Sequence, residues 1–211
     1  MSKLRPYLAI DIETTGLDIE KVHCIQIGWV LDDGVSPREQ LEKGSFIIDV
    51  DKITYGEPYA LWLNGWIFDQ MVKAAKGKET KYPVTCLADA LCYLCDAVKK
   101  VKILANKWDE ANGEKPKKVQ LAGKNASGFD WPIIFNNAKD NELCQSVLNN
   151  LVELIDHRFI DVGGAYFDLF GKNPGFDQIN KLIQYKEITH DAVDDAMNVV
   201  VALRYRMGMN F

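Results

Sequence analysis

The first strongly apolar stretch of the chain predicts a β-strand that carries two acids. Residues 7–17 read Tyr-Leu-Ala-Ile-Asp-Ile-Glu-Thr-Thr-Gly-Leu. Strand alternation turns the apolar even-numbered residues to one face and Asp11 and Glu13 to the other, about 7 Å apart. Two like charges at that distance are hard to keep ionised without a cation between them. The apolar flanks favour a central strand over a solvated edge strand, so the acids are expected in a cleft at its end.

The remaining hydrophobic pattern predicts a mixed α/β domain. Four further strands are expected at residues 23–31, 44–50, 119–123 and 158–162. Helical periodicity predicts helices near residues 59–75, 87–101, 131–138, 143–154 and 190–207, with polar breaks at 76–81 and 102–118. Short connections make the first three strands an antiparallel meander, and the later strands alternate with helices. We therefore expect one α/β domain over residues 1–211, a mixed five-stranded sheet with helices on its faces.

Composition bears on the compartment. The chain is 47% hydrophobic, yet no apolar run approaches the ~20 residues needed to span a bilayer, and no signal-peptide core precedes the first strand. The five cysteines are odd in number and lie in apolar patterns, which favours reduced thiols over a disulfide framework. The sequence thus predicts a cytoplasmic protein without membrane contact.

The net charge of −5 argues against a protein that coats nucleic acid non-specifically. It remains compatible with an enzyme that holds only a few nucleotides. Acids clustered to bind metal would lower the formal charge, and bound cations would restore it locally.

The fourth predicted strand also leads to an acid. Residues 121–130 read Leu-Ala-Gly-Lys-Asn-Ala-Ser-Gly-Phe-Asp, a strand, a glycine-bounded loop and an aspartate at a helix start. The loop does not fit a phosphate loop, because Phe129 and not lysine follows the second glycine. Asp130 is compatible with a plain N-cap and also with a ligand-binding position, since ligands collect at the carboxyl ends of sheet strands.

The last predicted helix opens with a histidine among acids, in Thr-His-Asp-Ala-Val-Asp-Asp at residues 189–195. Acids are favoured in a first helical turn by the helix dipole. A cation is disfavoured there, so the pKa of His190 should fall and make the ring a better base near neutral pH. Helical spacing places Asp191 and Asp195 on one face and turns Asp194 toward water.

Taken together, the three acidic segments resemble the motifs of the DEDDh 3′-to-5′ exonucleases, a ribonuclease H-like group that includes proofreading exonuclease subunits, oligoribonuclease and ribonuclease T. The resemblance implies that Asp11, Glu13, Asp130 and Asp195 bind metal and that His190 is the general base. It also implies nucleotide contacts from Thr14, Thr15, Gly16, Leu17 and Asn125. Two departures are an extra Gly128 in the second motif and a segment, residues 59–75, without a subfamily signature.

The resemblance further implies two Mg²⁺ or Mn²⁺ ions, which prefer oxygen ligands. The implied activity is hydrolysis of single-stranded DNA or short RNA from its 3′ end to nucleoside 5′-monophosphates. Single-stranded 3′ ends are thus the expected partners, and a homodimer is possible. Two other functions stay open: a catalytically weak nucleic-acid-binding or polymerase-associated module of the same fold, and another metal-dependent phosphohydrolase.

Several further residues have competing interpretations. Asp161 also ends a predicted strand and is a weaker candidate for metal binding. His23 and His157 adjoin strands and are expected to be structural. The lysine-rich stretch at 99–118 is typical of a solvated loop, with a strand-guiding patch as the alternative. Trp62 and Trp66, four residues apart, suit either a base-stacking shelf or the core.

Overall fold

The computed structural model describes residues 4–50, 52–185 and 189–209. The strands are β1 Tyr7–Thr14, β2 Cys24–Asp32, β3 Lys43–Ile48, β4 Val84–Thr85, β5 Leu121–Gly123 and β6 Ile160–Asp161. The helices are α1 Pro58–Leu63, α2 Gly65–Ala75, α3 Leu87–Ala111, α4 Asp130–Ala138, α5 Glu142–Leu154, α6 Val162–Ala165, α7 Phe167–Phe170, α8 Phe176–Ile183 and α9 Ala192–Arg206. A single 3₁₀ turn, Arg38–Gln40, lies between β2 and β3.

The strands form one mixed sheet in the order β4-β3-β2-β1-β5-β6. β1, β2 and β3 pair antiparallel, as the meander predicted, and β5 and β6 continue the sheet parallel to β1. The prediction of five strands was wrong by one. The additional strand, β4, has two residues and pairs parallel with β3. It is too short to show an alternating pattern.

β1 lies in the middle of the sheet and is buried from both sides. Its residues Leu8, Ile10 and Ile12 belong to a core cluster with α3, α4 and α5, as the alternation predicted. Tyr7 and Ala9 point to the opposite face, where they join the cluster formed by α8 and α9. Asp11 and Glu13 have the same parity as Tyr7 and Ala9, so they lie on the α9 face.

Three helices differ from the sequence-based boundaries. The helix expected at 59–75 is broken at Asn64 into α1 and α2. α3 continues to Ala111, so the first half of the expected break at 102–118 is helical. The last turns of α3 are tied to the segment before β1, because the fully buried Asp109 pairs with Arg5 at 2.7 Å. α9 begins at Ala192, and His190 precedes it.

No helix within the described ranges is both long and apolar enough to cross a membrane. All five cysteines are free, in agreement with the expected reduced thiols.

Candidate metal centre

The turn after β1 is fixed by its own hydrogen bonds and by the start of α1. The Thr14 hydroxyl donates to the Gly16 carbonyl at 2.6 Å, and Thr15 is fully buried. The Glu57 carboxylate accepts from the Leu17 amide at 2.9 Å. Leu17 itself is 72% exposed.

Asp130 reaches β1 from the start of α4. It is the first residue of that helix and not its N-cap, which is Phe129. Its buried carboxylate accepts a hydrogen bond from the Ile12 amide at 3.1 Å. Asp130 is thereby held between the positions of Asp11 and Glu13 along β1. The N-cap interpretation of Asp130 is therefore wrong.

Asp161, the weaker candidate for metal binding, holds the loop before α4 by a hydrogen bond. Asp161 accepts from the amides of Asn125 and Gly164, each at 2.7 Å, and so caps α6. Asn125 adopts a left-handed conformation with φ 60°. A nucleotide contact from Asn125 stays a prediction, whereas Asp161 is occupied by backbone amides.

β2 positions the start of α9 over the acids of β1. The cross-strand partners of Asp11 and Glu13 are Gly28 and Gln26. A Cβ on Gly28 would lie 2.2 Å from the amide nitrogen of Val193, so only glycine allows this approach. The Gln26 side chain accepts from the Ala192 amide at 3.2 Å. Both partners of the acidic pair on β1 thus seat the first turn of α9.

Asp191 is a buried N-cap and not a member of the acidic face of α9. Its carboxylate accepts from the Gln26 side-chain amide at 3.1 Å, the Lys81 ammonium at 2.5 Å and the Tyr82 hydroxyl at 2.9 Å. Burial and the Asp191 charge raise the pKa of Tyr82 to about 12. The expected shared face of Asp191 and Asp195 was wrong, since Asp191 lies just before the helix.

His190 and Asp195 complete the site from the α9 side. His190 has φ 51°, and its carbonyl accepts from the Trp66 indole at 3.1 Å. Burial lowers the pKa of the His190 imidazole. Asp195 is 5% exposed, and its carboxylate accepts from the Asn198 side-chain amide at 2.9 Å. One ligand atom each of Glu13, His190 and Asp195 lies within 4.8 Å of the others.

The electrostatics of this cluster favour a bound cation. Burial raises the pKa of Asp11 well above its usual range, and the nearby Asp130, Glu13 and Asp195 raise it further. Burial and Asp195 raise the pKa of Glu13 to about 8, against a hydrogen bond from Asn64. Burial raises the pKa of Asp130 to about 7, although the Ile12 amide lowers it. A hard divalent cation with oxygen ligands fits this donor set.

Sequence reasoning missed the residues that support the site. These are Gln26, Asn64, Trp66, Lys81 and Tyr82. The Asn64-Gly65 pair was a readable signal for a helix break, and Gln26 was a polar residue in an apolar strand. Lys81 and Tyr82 offered no signal, because their partner Asp191 is more than 100 residues away in sequence.

The two tryptophans have different environments. Trp62 on α1 is 75% exposed and packs against Tyr59, with ring centroids 6.0 Å apart. Trp66 on α2 is half-buried against Tyr82 and Lys81. The two tryptophans lie on separate helices, α1 and α2, so the predicted stacking shelf on a single helix was wrong.

The other two histidines lie apart from the acid cluster. The His23 ring bonds the hydroxyl and amide of Thr54, while His157 is 88% exposed. The structural role expected for His23 fits these bonds. The exposed His157 ring lies 3.4 Å from the Asp156 carboxylate.

Neither a protein-family model nor a curated protein sequence matches the chain. Solved structures do match it. One is Pop2p of S. pombe, in a form with Mg²⁺ and Mn²⁺ bound, with a TM-score of 0.56 and 14% sequence identity. The match covers 94% of this chain and 81% of that chain. At this identity the likeness shows the fold alone, the mixed α/β ribonuclease H-like architecture.

Proposed function

We propose that the protein is a metal-dependent exonuclease that hydrolyses single-stranded DNA or RNA from the 3′ end and releases nucleoside 5′-monophosphates. One observation carries the proposal. Glu13, His190 and Asp195 each place a ligand atom within 4.8 Å of the others, and the acids of β1 and α4 beside them, Asp11, Glu13 and Asp130, have raised pKa values. A cluster of buried acids without a bound cation would only lower the stability of the fold, so the cluster favours a metal-binding role.

Asp11, Glu13, Asp130 and Asp195 are the residues that would hold Mg²⁺ or Mn²⁺. When bound, such ions neutralise the charge that develops on a phosphodiester during hydrolysis. The Ile12 amide fixes the Asp130 carboxylate, and Asn198 fixes that of Asp195. These bonds keep the acids in place for the cation.

His190 is the proposed general base. Its lowered pKa keeps the imidazole neutral at pH 7, so that it can accept a proton. Water attacks the phosphorus of the last phosphodiester and forms the new P–O bond, while the bond from phosphorus to the 3′ oxygen of the preceding nucleotide breaks. The water proton passes to His190 and then to solvent, and solvent protonates the leaving oxygen. The product is a nucleoside 5′-monophosphate.

Exposed apolar side chains on the turn after β1 and on α1 suit the end of a single strand. Leu17, Tyr59 and Trp62 are all more than 70% exposed. Glu57, the residue before α1, accepts a hydrogen bond from the Leu17 amide, and this bond joins the turn of Leu17 to the start of the helix that carries Tyr59 and Trp62. Exposed apolar side chains beside a metal centre offer unpaired bases a surface to stack on. The buried Thr15 and the adjacent Gly16 shape the turn beneath them.

The test is hydrolysis of end-labelled single-stranded DNA and RNA by the purified protein with Mn²⁺ and then with EDTA. The matched variants are Asp195→Asn and Asp194→Asn, which alter neighbouring acids of the same helical turn. We expect Mn²⁺-dependent release of mononucleotides, its loss in Asp195→Asn and its retention in Asp194→Asn.

Blocked ends decide the polarity. A 3′ block should stop degradation and a 5′ block should not. Cleavage of a circular single strand at the same rate would indicate an endonuclease. Hydrolysis of a simple phosphomonoester without attack on oligonucleotides would indicate a different phosphohydrolase.

A further inference from the structure

A second concavity lies away from the acid cluster, between α4, the end of α5 and the segment that leads into β6. Its volume is about 410 Å³, within the usual range of small-ligand sites. The residues that decide its chemistry are Trp131, Phe135, Phe159, Lys118, Ser127 and His157. None of these six side chains takes part in the proposed hydrolysis.

The aromatic rings of this pocket are arranged edge to face. Trp131 lies 5.4 Å from Phe135 and 5.9 Å from Phe159, with interplanar angles of 68° and 62°. In each pair the edge of one ring lies against the face of the other, which leaves the opposite face of that ring uncovered by this contact. Phe135 is 37% exposed although it projects from the same helix as the core residues Ile133 and Ile134. A planar ligand entering the pocket meets partly exposed aromatic rings, the kind of side chain on which unpaired bases stack.

A fixed cation borders these rings. The Lys118 ammonium donates to the Val152 carbonyl at 3.0 Å, and no carboxylate of the described chain pairs with it. The backbone of Lys118 is held by Arg5, which donates to its carbonyl at 3.1 Å. Arg5 is itself anchored on the buried Asp109. Lys118 thus presents its charge from a rigid segment.

A smaller hollow of about 300 Å³ continues the pocket on the basic side. It shares Lys118 and Asp156 with the aromatic pocket, and Arg5, Lys117 and Arg158 also line it. Asp156 is paired with Arg158 at 3.0 Å, and Lys117 is paired with Glu114. In a chain of net charge −5, this is a local surplus of positive charge beside aromatic rings. Phosphate and base together match that combination.

We propose that this aromatic-basic pocket binds one nucleotide of single-stranded nucleic acid, with its base against Trp131 and Phe135 and its phosphate at Lys118. This proposal rests on the proposed function and names a second contact for the same strand, upstream of its 3′ end. Ser127, in the loop that leads into Asp130, forms one wall. Asp130 and Phe135 are five residues apart on α4, about 7.5 Å along the helix axis. A strand leaving the metal centre along α4 reaches the pocket within a few nucleotides.

The test compares binding of a 3-nucleotide and a 12-nucleotide single strand in EDTA by fluorescence anisotropy. The longer strand spans both sites, so its advantage, the ratio of the two Kd values, measures the second site. We expect Lys118→Glu and Phe135→Leu each to reduce this ratio about tenfold, about 1.4 kcal/mol. Phe135→Tyr keeps the ring and should retain the ratio. Lys76→Glu, the same charge change on exposed α2 surface, should also retain it.

Two results would overturn the proposal. One is a wild-type ratio in both Lys118→Glu and Phe135→Leu, and the other is an equal loss of affinity for both lengths. The Phe135→Leu and Phe135→Tyr pair decides the matter if Lys118→Glu does not fold. Binding in EDTA is independent of hydrolysis. A wild type that binds with the expected ratio but never cleaves contradicts the proposed function alone, and cleavage without the ratio effect contradicts the second site alone.

Discussion

The backbone of His190 has a conformation that a residue with a side chain seldom adopts. A left-handed φ in a non-glycine residue costs about 1–3 kcal/mol and persists only where its surroundings enforce it. At His190, with φ 51°, the enforcing contacts are the Trp66 indole on its carbonyl and the buried cap Asp191 that follows. The ring that we propose as the base is thus aimed by residues that need not touch substrate.

Replacement of Trp66 tests this positioning role. Trp66→Phe keeps an aromatic ring but removes the hydrogen bond to the His190 carbonyl, a loss of about 1 kcal/mol. We expect kcat to fall by about threefold to tenfold, with a smaller change in KM, and the pH dependence of kcat to shift. Trp108→Phe on α3 is the matched control. Equal kcat values and pH profiles in Trp66→Phe and wild type would show that the bond has no bearing on catalysis.

Replacement of His190 separates a base from a metal ligand. Loss of a general base typically lowers the rate by about 10²–10⁴. His190→Ala should therefore be nearly inactive at pH 7 and recover partly at higher pH, where hydroxide is more abundant. Calorimetric titration with Mn²⁺ should give near wild-type affinity, because the hard ions prefer the four carboxylates.

The structure leaves a clear alternative outcome for His190. Its ring lies close enough to Glu13 and Asp195 to share a cation with them. A large loss of Mn²⁺ affinity in His190→Ala would assign it as a ligand. An unchanged rate in His190→Ala would show that another residue is the base.

At the scale of elements, α9 is fixed to β2 at both of its ends. Its first turn lies against Gly28 and Gln26. At its last turn the buried Arg204 donates two hydrogen bonds to the buried Asp32 carboxylate, at 2.5 and 3.0 Å. Since β2 is hydrogen-bonded to β1, these contacts set the distance from Asp195 to the acids of β1.

Addition of one methyl group at Gly28 should disturb this seat. Its Cβ would collide with the backbone of Ala192 and Val193, so the start of α9 must move. Overpacking of this kind costs about 1–3 kcal/mol, which lowers the Tm of a protein this size by about 3–10 °C. We expect Gly28→Ala to lower kcat well below its Tm as well. Gly65→Ala, where a Cβ meets open space, should retain both values. An unchanged rate in Gly28→Ala would mean that α9 can shift without harm to the site.

The acids of β1 and the resemblance built on them were readable because strand alternation and motif order are local in sequence. The two-residue β4 and the break at Asn64 were not read, because neither spans a period of any pattern. The hydrogen-bond network that supports the site was not predicted, for a different reason. Asp191 has the signature of an ordinary helix cap, and its partners at residues 26, 81 and 82 are set by tertiary packing alone.

The lysine-rich stretch shows how the same letters divide between elements. Lys99 and Lys100 are exposed on α3 and paired with Asp96 and Glu42. The first part of the stretch that was predicted to be a solvated loop is thus helical, and these two lysines form ion pairs. Lys118 instead borders an aromatic pocket, a juxtaposition with Trp131 and Phe159 that no sequence spacing reveals.

At the scale of the whole molecule, the acid cluster makes stability depend on pH and on metal. The folded-state pKa values of Glu13 and Asp130 are raised to about 8 and about 7, and ordinary carboxylates in an unfolded chain titrate near about 4. Between these values the native state binds more protons than the unfolded state. The free energy of unfolding of the metal-free protein therefore falls as pH rises through this interval.

Thermal melts in EDTA between pH 6.5 and 8 should show this decline. The lower limit reduces the contribution of His23 and His190, whose lowered pKa values act in the opposite direction and most strongly at more acid pH, and the upper limit reduces that of the cysteines. We expect the free energy of unfolding to fall by a few kcal/mol at most, flattening in Glu13→Gln. Added Mn²⁺ should raise the Tm more at pH 8 than at pH 6.5, because protons no longer compete for the carboxylates. A Tm in EDTA that stays level or rises over this range, with no Mn²⁺ effect, would mean that the cluster neither repels itself nor binds a cation.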